Sequence, residues 1–463
     1  MFKRIFTMGL VCIMAFSVIG CEKENDEKKS NAKTPPQYET QEFEISGYWA
    51  PYDISEEGLK QYKDAGLNTL LMINHSGERN SEEQFYLGSK RTMKALELCK
   101  KLGLKAVINY DDWIAQTSEE QGTEYYGETP FSKHDVYGEY KDIISGIHIC
   151  DEPKFDPHFA IYGNEMLIND FKKVYPNADY VVNLIPIYGA PYYGFESNQD
   201  MMDKYGETFM RHFEKPYISV DIYPFHTNEK DVDMQIVTNH KAIAETAKKY
   251  NAEKTFILQS SAGAEFEEDL CEGDMRWQVY AALAFGADNL CYYCYSVPKG
   301  REYNYCILNA DNTPSKMYYF VKEINNEIQS FASAFLAYDW DKSIGVSGSV
   351  DQTFRVSPIE YDDMFEYEKF ENAKHYVSAK GTQDLVISRF DSEQYGEAYM
   401  LVNFAKNNGK TNIIDVTLKD CSTVAVYGGE GYTGTPKIIE LDDKGLLKLE
   451  FAYGEGAFVT PIV

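Results

Sequence analysis

Between residues 43 and 335 the sequence repeats one unit, in which a short apolar or β-branched run is followed by an amphipathic stretch of helical length. The first such stretch has Gly66 near its end, where a left-handed residue is favoured. Eight units in roughly 270 residues match the size of a closed parallel barrel, whereas a doubly wound open sheet seldom supplies so many strands. The predicted strands are Glu44–Trp49, Thr69–Asn74, Lys105–Tyr110, Ile144–Cys150, Tyr180–Ile185, Tyr217–Ile222, Thr255–Gln259 and Asn289–Tyr295.

The sequence changes character after the last unit. A long helix is predicted over Lys316–Phe335, and short runs such as Asp384–Ser388 and Ala398–Val402 then alternate apolar and polar residues between Gly, Asn and Asp. That pattern is typical of an all-β domain. We therefore predict an α/β fold, namely a (β/α)8 TIM barrel over residues 43–340 followed by a smaller all-β sandwich over residues 344–463.

The N-terminus predicts export. The chain starts with the basic sequence MFKR, and an apolar stretch shorter than the ~20 residues of a membrane span leads to the small residues VIG before Cys21. This segment resembles the lipobox of bacterial lipoproteins, which implies removal of residues 1–20 and acylation of Cys21 as a membrane anchor. Residues 22–41 are almost all charged or small and polar, which predicts a flexible tether over residues 21–42. The acidic residues directly after Cys21 resemble the surface-export signal of Bacteroidetes lipoproteins, which implies a location at the outer membrane or cell surface.

The net charge limits the ligands that the chain can bind, and the positions of the cysteines indicate whether disulfides stabilise the fold. The formal charge is −28 for the whole chain and −30 after removal of residues 1–20, which contain Lys3 and Arg4 but no acid. Such a surface repels nucleic acid and is compatible with neutral ligands. Seven of the nine cysteines lie beyond Cys21, scattered through apolar segments, so we predict no disulfide framework. The sequence has no His/Cys/Asp cluster with metal-ligand spacing, so we predict neither a metal nor a cofactor.

Polar and aromatic residues concentrate where the predicted strands end. In a (β/α)8 barrel these carboxyl ends meet at one rim, which carries the functional site. Aromatic rings beside amides and carboxylates are typical of a sugar site, whereas the glycine-rich loops and basic residues that bind phosphate are scarce here. We predict a carbohydrate substrate. The expected substrate-binding residues are Trp49, Asn74, His75, Asp111, Trp113, Asp151, Asn183, Tyr223, Gln259 and Tyr292.

Three segments carry a resemblance to a known family. They are residues 146–153 with the sequence GIHICDEP, residues 219–224 with the sequence SVDIYP, and residues 276–287, which lead into an aromatic last strand. Together they resemble the clan-A glycoside hydrolases, including the β-galactosidase-like barrels with an appended β-domain. That clan keeps its acid/base glutamate at the end of strand four. The resemblance implies a glycoside hydrolase with Glu152 as the acid/base residue.

Glycoside cleavage also needs a second carboxyl, ionised as nucleophile or base. The clan places a glutamate at the end of strand seven, where this sequence has Gln259, whose amide cannot form a glycosyl ester. Asp221 in strand six and Glu265 in the loop after strand seven are equal candidates for the second catalytic carboxyl. We expect Asp151 to point to the opposite side of the pleat from Glu152 or to form a local hydrogen bond.

Two other functions remain open at this point. One is a non-catalytic surface lipoprotein that binds glycans on a degenerate barrel, which the presence of Gln259 favours. The other is a sugar lyase, or another carbohydrate enzyme, with Tyr223 or His75 as its base. The distance between the carboxyls separates the main classes, since ~5–5.5 Å indicates a retaining hydrolase and ~6.5–9.5 Å an inverting one.

Overall fold

The computed structural model of the chain describes residues 34–49, 51–52, 54–72, 88–109, 137–153, 162–226, 232–267, 269–298, 300–350, 370–405 and 409–463. Eight parallel strands form one curved sheet in the order β1-β8-β7-β6-β5-β4-β3-β2, which confirms the predicted barrel. These strands are β1 (Glu44–Gly47), β2 (Thr69–Leu71), β3 (Lys105–Asn109), β4 (Ile144–Asp151), β5 (Asp179–Leu184), β6 (Tyr217–Ile222), β7 (Glu253–Gln259) and β8 (Asn289–Tyr293).

Helices alternate with these strands, and α1 shows how the sequence sets their ends. The side chain of Ser55 accepts a hydrogen bond from the Gly58 N–H and so caps the first turn. Beyond the helix, Gly66 has a φ of 81°, and a Cβ at this position would lie 2.6 Å from Asn325. The helices are α1 (Glu56–Asp64), α2 (Gly88–Leu102), α3 (Glu165–Val174), α4 (Asn198–Thr208), α5 (Val232–Tyr250), α6 (Glu272–Ala284) and α7 (Lys316–Phe335).

The C-terminal region forms two antiparallel sheets, as the predicted all-β domain requires. One has six strands in the order β15-β14-β17-β12-β11-β9, and the other has three in the order β10-β13-β16. Leu401 in the larger sheet and Val416 in the smaller one belong to the same apolar core. The strand β9 spans the predicted boundary between the two domains. The strands are β9 (Asp339–Val346), β10 (Tyr376–Gly381), β11 (Leu385–Ser392), β12 (Gly396–Asn403), β13 (Asn412–Leu418), β14 (Thr423–Gly428), β15 (Lys437–Glu440), β16 (Leu446–Phe451) and β17 (Gly456–Ile462).

The six-stranded sheet packs directly on the outer helices of the barrel. Trp277 of α6 contacts Phe404 with ring centroids 4.8 Å apart, and Phe335 of α7 contacts Phe458 at 5.2 Å. All four side chains belong to the same buried apolar cluster as the strand residues that face the outer helices, such as Tyr292. The barrel and the larger C-terminal sheet therefore share one hydrophobic core.

The last residues of the predicted tether lie against the folded chain. The ring of Tyr38 meets Tyr395 edge-on at 4.8 Å, and the backbone N–H of Gln41 donates to Ser333 Oγ at 3.0 Å. The prediction of a flexible tether over residues 21–42 is therefore wrong for its final part, because an aromatic side chain and a backbone hydrogen bond fix that part to α7 and the C-terminal sheet.

Side chains join the two strands at the ends of the barrel sheet. The buried hydroxyl of Tyr62 accepts from the N–H of Gly47 in β1 at 2.9 Å and donates to the carbonyl of Thr69 in β2 at 2.8 Å. The amide of Asn68 accepts from the Ile45 N–H at 2.8 Å, and the Asn68 N–H donates to the Ile45 carbonyl at 3.0 Å. These bonds satisfy backbone groups that a full β1–β2 ladder would otherwise pair.

We predict that Tyr62→Phe destabilises the protein, because it leaves a backbone N–H and a backbone carbonyl without their partner in a fully buried position. The free energy of unfolding should fall by about 1–3 kcal/mol in urea titrations. Tyr319→Phe removes the same atom from an exposed ring and is the matched control. Equal unfolding free energies for the two variants would show that the Tyr62 hydroxyl does not hold this junction.

Candidate active site

The end of β4 brings an acid into the barrel mouth. A register shift between His148 and Cys150 interrupts the pairing of β4 with β5. Beyond this bulge Asp151 shares the interior side with His148, since Tyr48 contacts both: its ring meets His148 at 6.2 Å and its hydroxyl donates to Asp151 Oδ1 at 3.4 Å. The hydrogen bond from Tyr48 is not local, and it holds Asp151 in the barrel mouth.

Asn183 at the end of β5 connects two acids from neighbouring strands. Its Nδ2 donates to Asp151 Oδ1 at 2.9 Å and to Asp221 Oδ1 at 3.2 Å, so these two oxygens lie no more than 6.1 Å apart. Its own Oδ1 accepts from Ser219 Oγ at 3.2 Å. Because Ser219 holds the oxygen, the NH2 group of the amide faces the acids.

Asp221 is the deepest of the acids, with 8% of its surface exposed. Burial raises the pKa of Asp221 to about 8, and the negative charges of Glu152 and Asp151 add to this rise. Hydrogen bonds from Asn183 and Tyr223 act in the opposite direction. The carboxyl of Asp221 therefore holds a proton at neutral pH.

Glu152 follows β4 with an exposed side chain at the mouth. Its backbone N–H donates to the Asn183 carbonyl at 3.0 Å, and its φ of 42° lies in the left-handed region that non-glycine residues rarely adopt. Partial burial of the carboxyl raises the pKa of Glu152, and the charge of Asp151 raises it further. Tyr193 is close by, since burial and the charge of Glu152 raise the pKa of Tyr193. Positive-φ residues of this kind cluster at functional sites.

Aromatic side chains line the mouth next to the acids. Tyr223, which donates a hydrogen bond to Asp221, has its ring centroid 5.0 Å from Tyr293 and 5.6 Å from Phe266. The hydroxyls of Tyr293 and Tyr303 are 3.4 Å apart. We call this set the aromatic wall, and it comprises Tyr48, Trp49, Tyr223, Phe266, Tyr293 and Tyr303.

The structure brings together five predicted site residues besides Glu152. Trp49 and Tyr223 belong to the aromatic wall, and Asp151, Asn183 and Asp221 form the hydrogen-bonded group beside it. The sequence analysis missed Tyr48, Phe266, Tyr293 and Tyr303. An unbroken apolar run such as that of β8 has no alternation that would show which side faces the interior.

Tyr292 and Gln259 do not reach the mouth, so the prediction that they bind the substrate is wrong. Tyr292 is fully buried, and its hydroxyl donates to Asn325 of α7 at 2.7 Å, so it faces the outer helices. Gln259 is also fully buried, and its side-chain amide bonds the backbone N–H and carbonyl of Phe225 at 2.9 and 3.2 Å. Its Nε2 also bonds the carbonyl of Ser261 at 3.2 Å, so the Gln259 amide holds the loops after β6 and β7 in place.

Glu265 lies at the edge of the aromatic wall. Its carboxylate is exposed and accepts from the Tyr303 hydroxyl at 3.5 Å. The acids whose charges act on Asp221 are Glu152 and Asp151. The remaining predicted residues lie outside the described part of the chain, namely Asn74, His75, Asp111, Trp113 and Cys21.

Within the described ranges, no three His, Cys, Asp or Glu side chains are placed to hold a metal ion together. Over the same residues, none of the helices combines the length and the apolar character that a membrane span needs.

Comparisons with known proteins concern the fold. No protein-family model matches the chain, and no curated protein matches its sequence. A catalytic mutant of a GH42 β-galactosidase from G. stearothermophilus superimposes with a TM-score of 0.53 and 10% identity, over 90% of this chain and 99% of that one. A family 5 glycoside hydrolase from Bacteroides vulgatus gives 0.53 and 10% over 90% and 89%, and a third glycoside hydrolase gives 0.51 and 13% over 91% and 92%. The chain is therefore similar in architecture to glycoside hydrolases.

Proposed function

We propose that this chain is a glycoside hydrolase and that Glu152 and Asp221 are its catalytic carboxyls. The observation that carries the proposal is the group of three acids at the mouth, in which Asn183 joins Asp151 to Asp221 and one carboxyl keeps its proton at neutral pH. Cleavage of a glycosidic bond needs a protonated carboxyl and an ionised one on either side of the scissile bond.

The protonation of the group supports one assignment of roles. Asp221 has a pKa of about 8 and is the proton donor to the leaving oxygen. Glu152 ionises first, since its negative charge is one cause of the raised pKa of Asp221. Glu152 is an exposed residue at the mouth, and its partly buried carboxylate acts on the substrate as nucleophile or base. This assignment reverses the role that the family resemblance implies for Glu152. Asp151 contributes the second negative charge that keeps the proton on Asp221.

The aromatic wall supports a carbohydrate substrate. The half-buried rings of Trp49, Tyr223 and Tyr293 offer flat apolar faces to a pyranose ring next to hydrogen-bonding acids. The chain's formal charge of −28 favours neutral over anionic glycans. Because one neighbour in fold, whose structure is known in two forms, is described as a β-galactosidase, aryl β-galactosides and galactans head the panel of substrates to test, followed by β-glucans.

We predict that Glu152→Gln and Asp221→Asn each lower kcat by about 10²–10⁴-fold on natural glycans, because each removes one half of the acid/base pair. Glu265→Gln should leave kcat nearly unchanged. Activity lost in Glu265→Gln and kept in Asp221→Asn would instead make Glu265 the second carboxyl.

Aryl glycosides with acidic leaving groups separate the two roles in the same experiment. Such groups depart without a proton, so Asp221→Asn should recover most of its rate on them while Glu152→Gln stays inactive. The opposite pattern would exchange the roles of Glu152 and Asp221.

One observation favours a second candidate, a surface protein that binds glycans without cleaving them. The end of β7 offers no carboxylate, since Gln259 stands there with its amide bound to backbone groups. A complete lack of turnover on the panel, with glycan affinity unchanged in Glu152→Gln, would support this candidate and contradict the hydrolase.

We predict that Asp221→Asn alters the pH dependence of stability. The ordinary pKa of Asp221 is 3.8 and the folded value is about 8, so between these values the unfolded chain releases a proton that the folded chain keeps. The free energy of unfolding therefore falls as pH rises through this window, and the asparagine variant escapes that fall. Relative to wild type, the variant should gain at least about 1 kcal/mol between about pH 5 and pH 9 in urea titrations.

Glu265→Gln is the matched control for this measurement, since it removes an exposed carboxyl. A free energy of unfolding that, measured relative to wild type, stays constant or falls in Asp221→Asn as pH rises would contradict a protonated Asp221.

We also propose that the chain is exported and anchored through an acylated Cys21, on the strength of the leader and lipobox-like segment. We predict that Cys21→Ser abolishes incorporation of labelled fatty acid in a bacterial host and releases the protein from the membrane fraction. Membrane association that persists in this variant would contradict the anchor.

A further inference from the structure

Two cysteines face each other behind the aromatic wall. Cys294 and Cys306 are both fully buried, and their Sγ atoms lie 3.2 Å apart. They enclose residues 295–305, the segment that carries Tyr303 to the mouth. We propose that Cys294 and Cys306 form an intramolecular disulfide that fixes this segment to the end of β8.

Hydrogen bonds hold the backbone on both sides of the pair. The Ile307 N–H donates to the Cys294 carbonyl at 3.2 Å, and the Leu308 N–H donates to the Tyr295 carbonyl at 2.8 Å. Ser315 Oγ donates to the Cys306 carbonyl at 2.6 Å. An S–S bond of about 2.05 Å requires the sulfurs to approach by roughly 1 Å, and we expect side-chain rotation to bring them together while these hydrogen bonds stay in place.

The crosslinking reaction is a thiol–disulfide exchange. One S–S bond forms between Cys294 and Cys306, and the S–S bond of a disulfide oxidant breaks. The oxidant takes up the two electrons and the two thiol protons and becomes two thiols. Burial and the neighbouring Cys306 thiol raise the pKa of Cys294, so the reactive thiolate is scarce once the protein is folded. We therefore expect the disulfide to form during folding in an oxidising compartment, before Cys294 and Cys306 become buried.

The crosslink bears on the site through Tyr303. The Tyr303 ring stacks on Phe266 with centroids 5.6 Å apart, and its hydroxyl is 3.4 Å from that of Tyr293. A bond between Cys294 and Cys306 limits the freedom of the short loop that carries Tyr303, mainly in the unfolded chain. The disulfide is independent of the proposed glycosidase activity, because it can be detected without a substrate.

The test is a thiol count on the full chain expressed in an oxidising compartment. The purified protein is denatured and alkylated, once directly and once after reduction, and is then weighed by mass spectrometry. We expect two fewer alkylated thiols without reduction, and a mass about 2 Da lower before alkylation. Trypsin cleaves after Lys299 and Arg301, so residues 277–299, which contain Cys291 and Cys294, should stay joined to residues 302–316, which contain Cys306, until they are reduced. Fragmentation of the joined peptides should show alkylated Cys291 and place the crosslink on Cys294.

Matched variants give the control. Cys306→Ala should show equal counts with and without reduction, whereas Cys421→Ala should still lose two thiols. The crosslinked protein should also melt at least about 2 °C above the reduced protein. Wild-type protein that shows the same thiol count with and without reduction would overturn the proposal. A crosslink that joins a different pair of cysteines would also overturn it.

Discussion

The whole structure depends on how an eight-stranded parallel sheet closes between its first two strands. Backbone pairing covers every other junction of the barrel, while Tyr62 and Asn68 supply side-chain bonds where β1 meets β2. Closure is also what creates the site, because residues far apart in sequence then share one rim. The bond from Tyr48 on β1 to Asp151 on β4 crosses that rim.

The mouth of the barrel gathers charges that repel one another. Asp151 and Asp221 share hydrogen bonds from Asn183, Glu152 lies beside them, and burial makes ionisation of Asp221 and Glu152 costly. The chain tolerates the arrangement because Asn183, Tyr48 and Tyr223 donate hydrogen bonds and because one proton stays bound at neutral pH. The burial and crowding of these acids lower stability, but they also leave a proton on Asp221 next to the carboxylate of Glu152. Catalytic sites commonly lose stability through such arrangements.

Sequence reasoning predicted the architecture well and the site less well, for identifiable physical reasons. Strand positions follow from apolar runs and helix ends from caps and glycines, both of which are local signals. The direction of a side chain within a strand depends on tertiary structure. The bulge in β4 turns Asp151 inward. Both faces of β8 are buried, so its sequence does not show that Tyr293 faces the mouth and Tyr292 the outer helices. The role of Gln259 depends on the backbone of Phe225, a contact that no sequence pattern predicts.

Because the barrel and the six-stranded sheet share one hydrophobic core, the evolution of each sequence constrains that of the other. Trp277 and Phe335 lie on the helices that flank β8, and each contacts a ring of the C-terminal region, Phe404 and Phe458 respectively. A substitution of Phe458 in β17 therefore alters the packing of a helix next to the barrel. Substitutions in the two parts therefore have to compensate one another. Replacing either part with an unrelated domain would expose to water the aromatic side chains that the other part now buries.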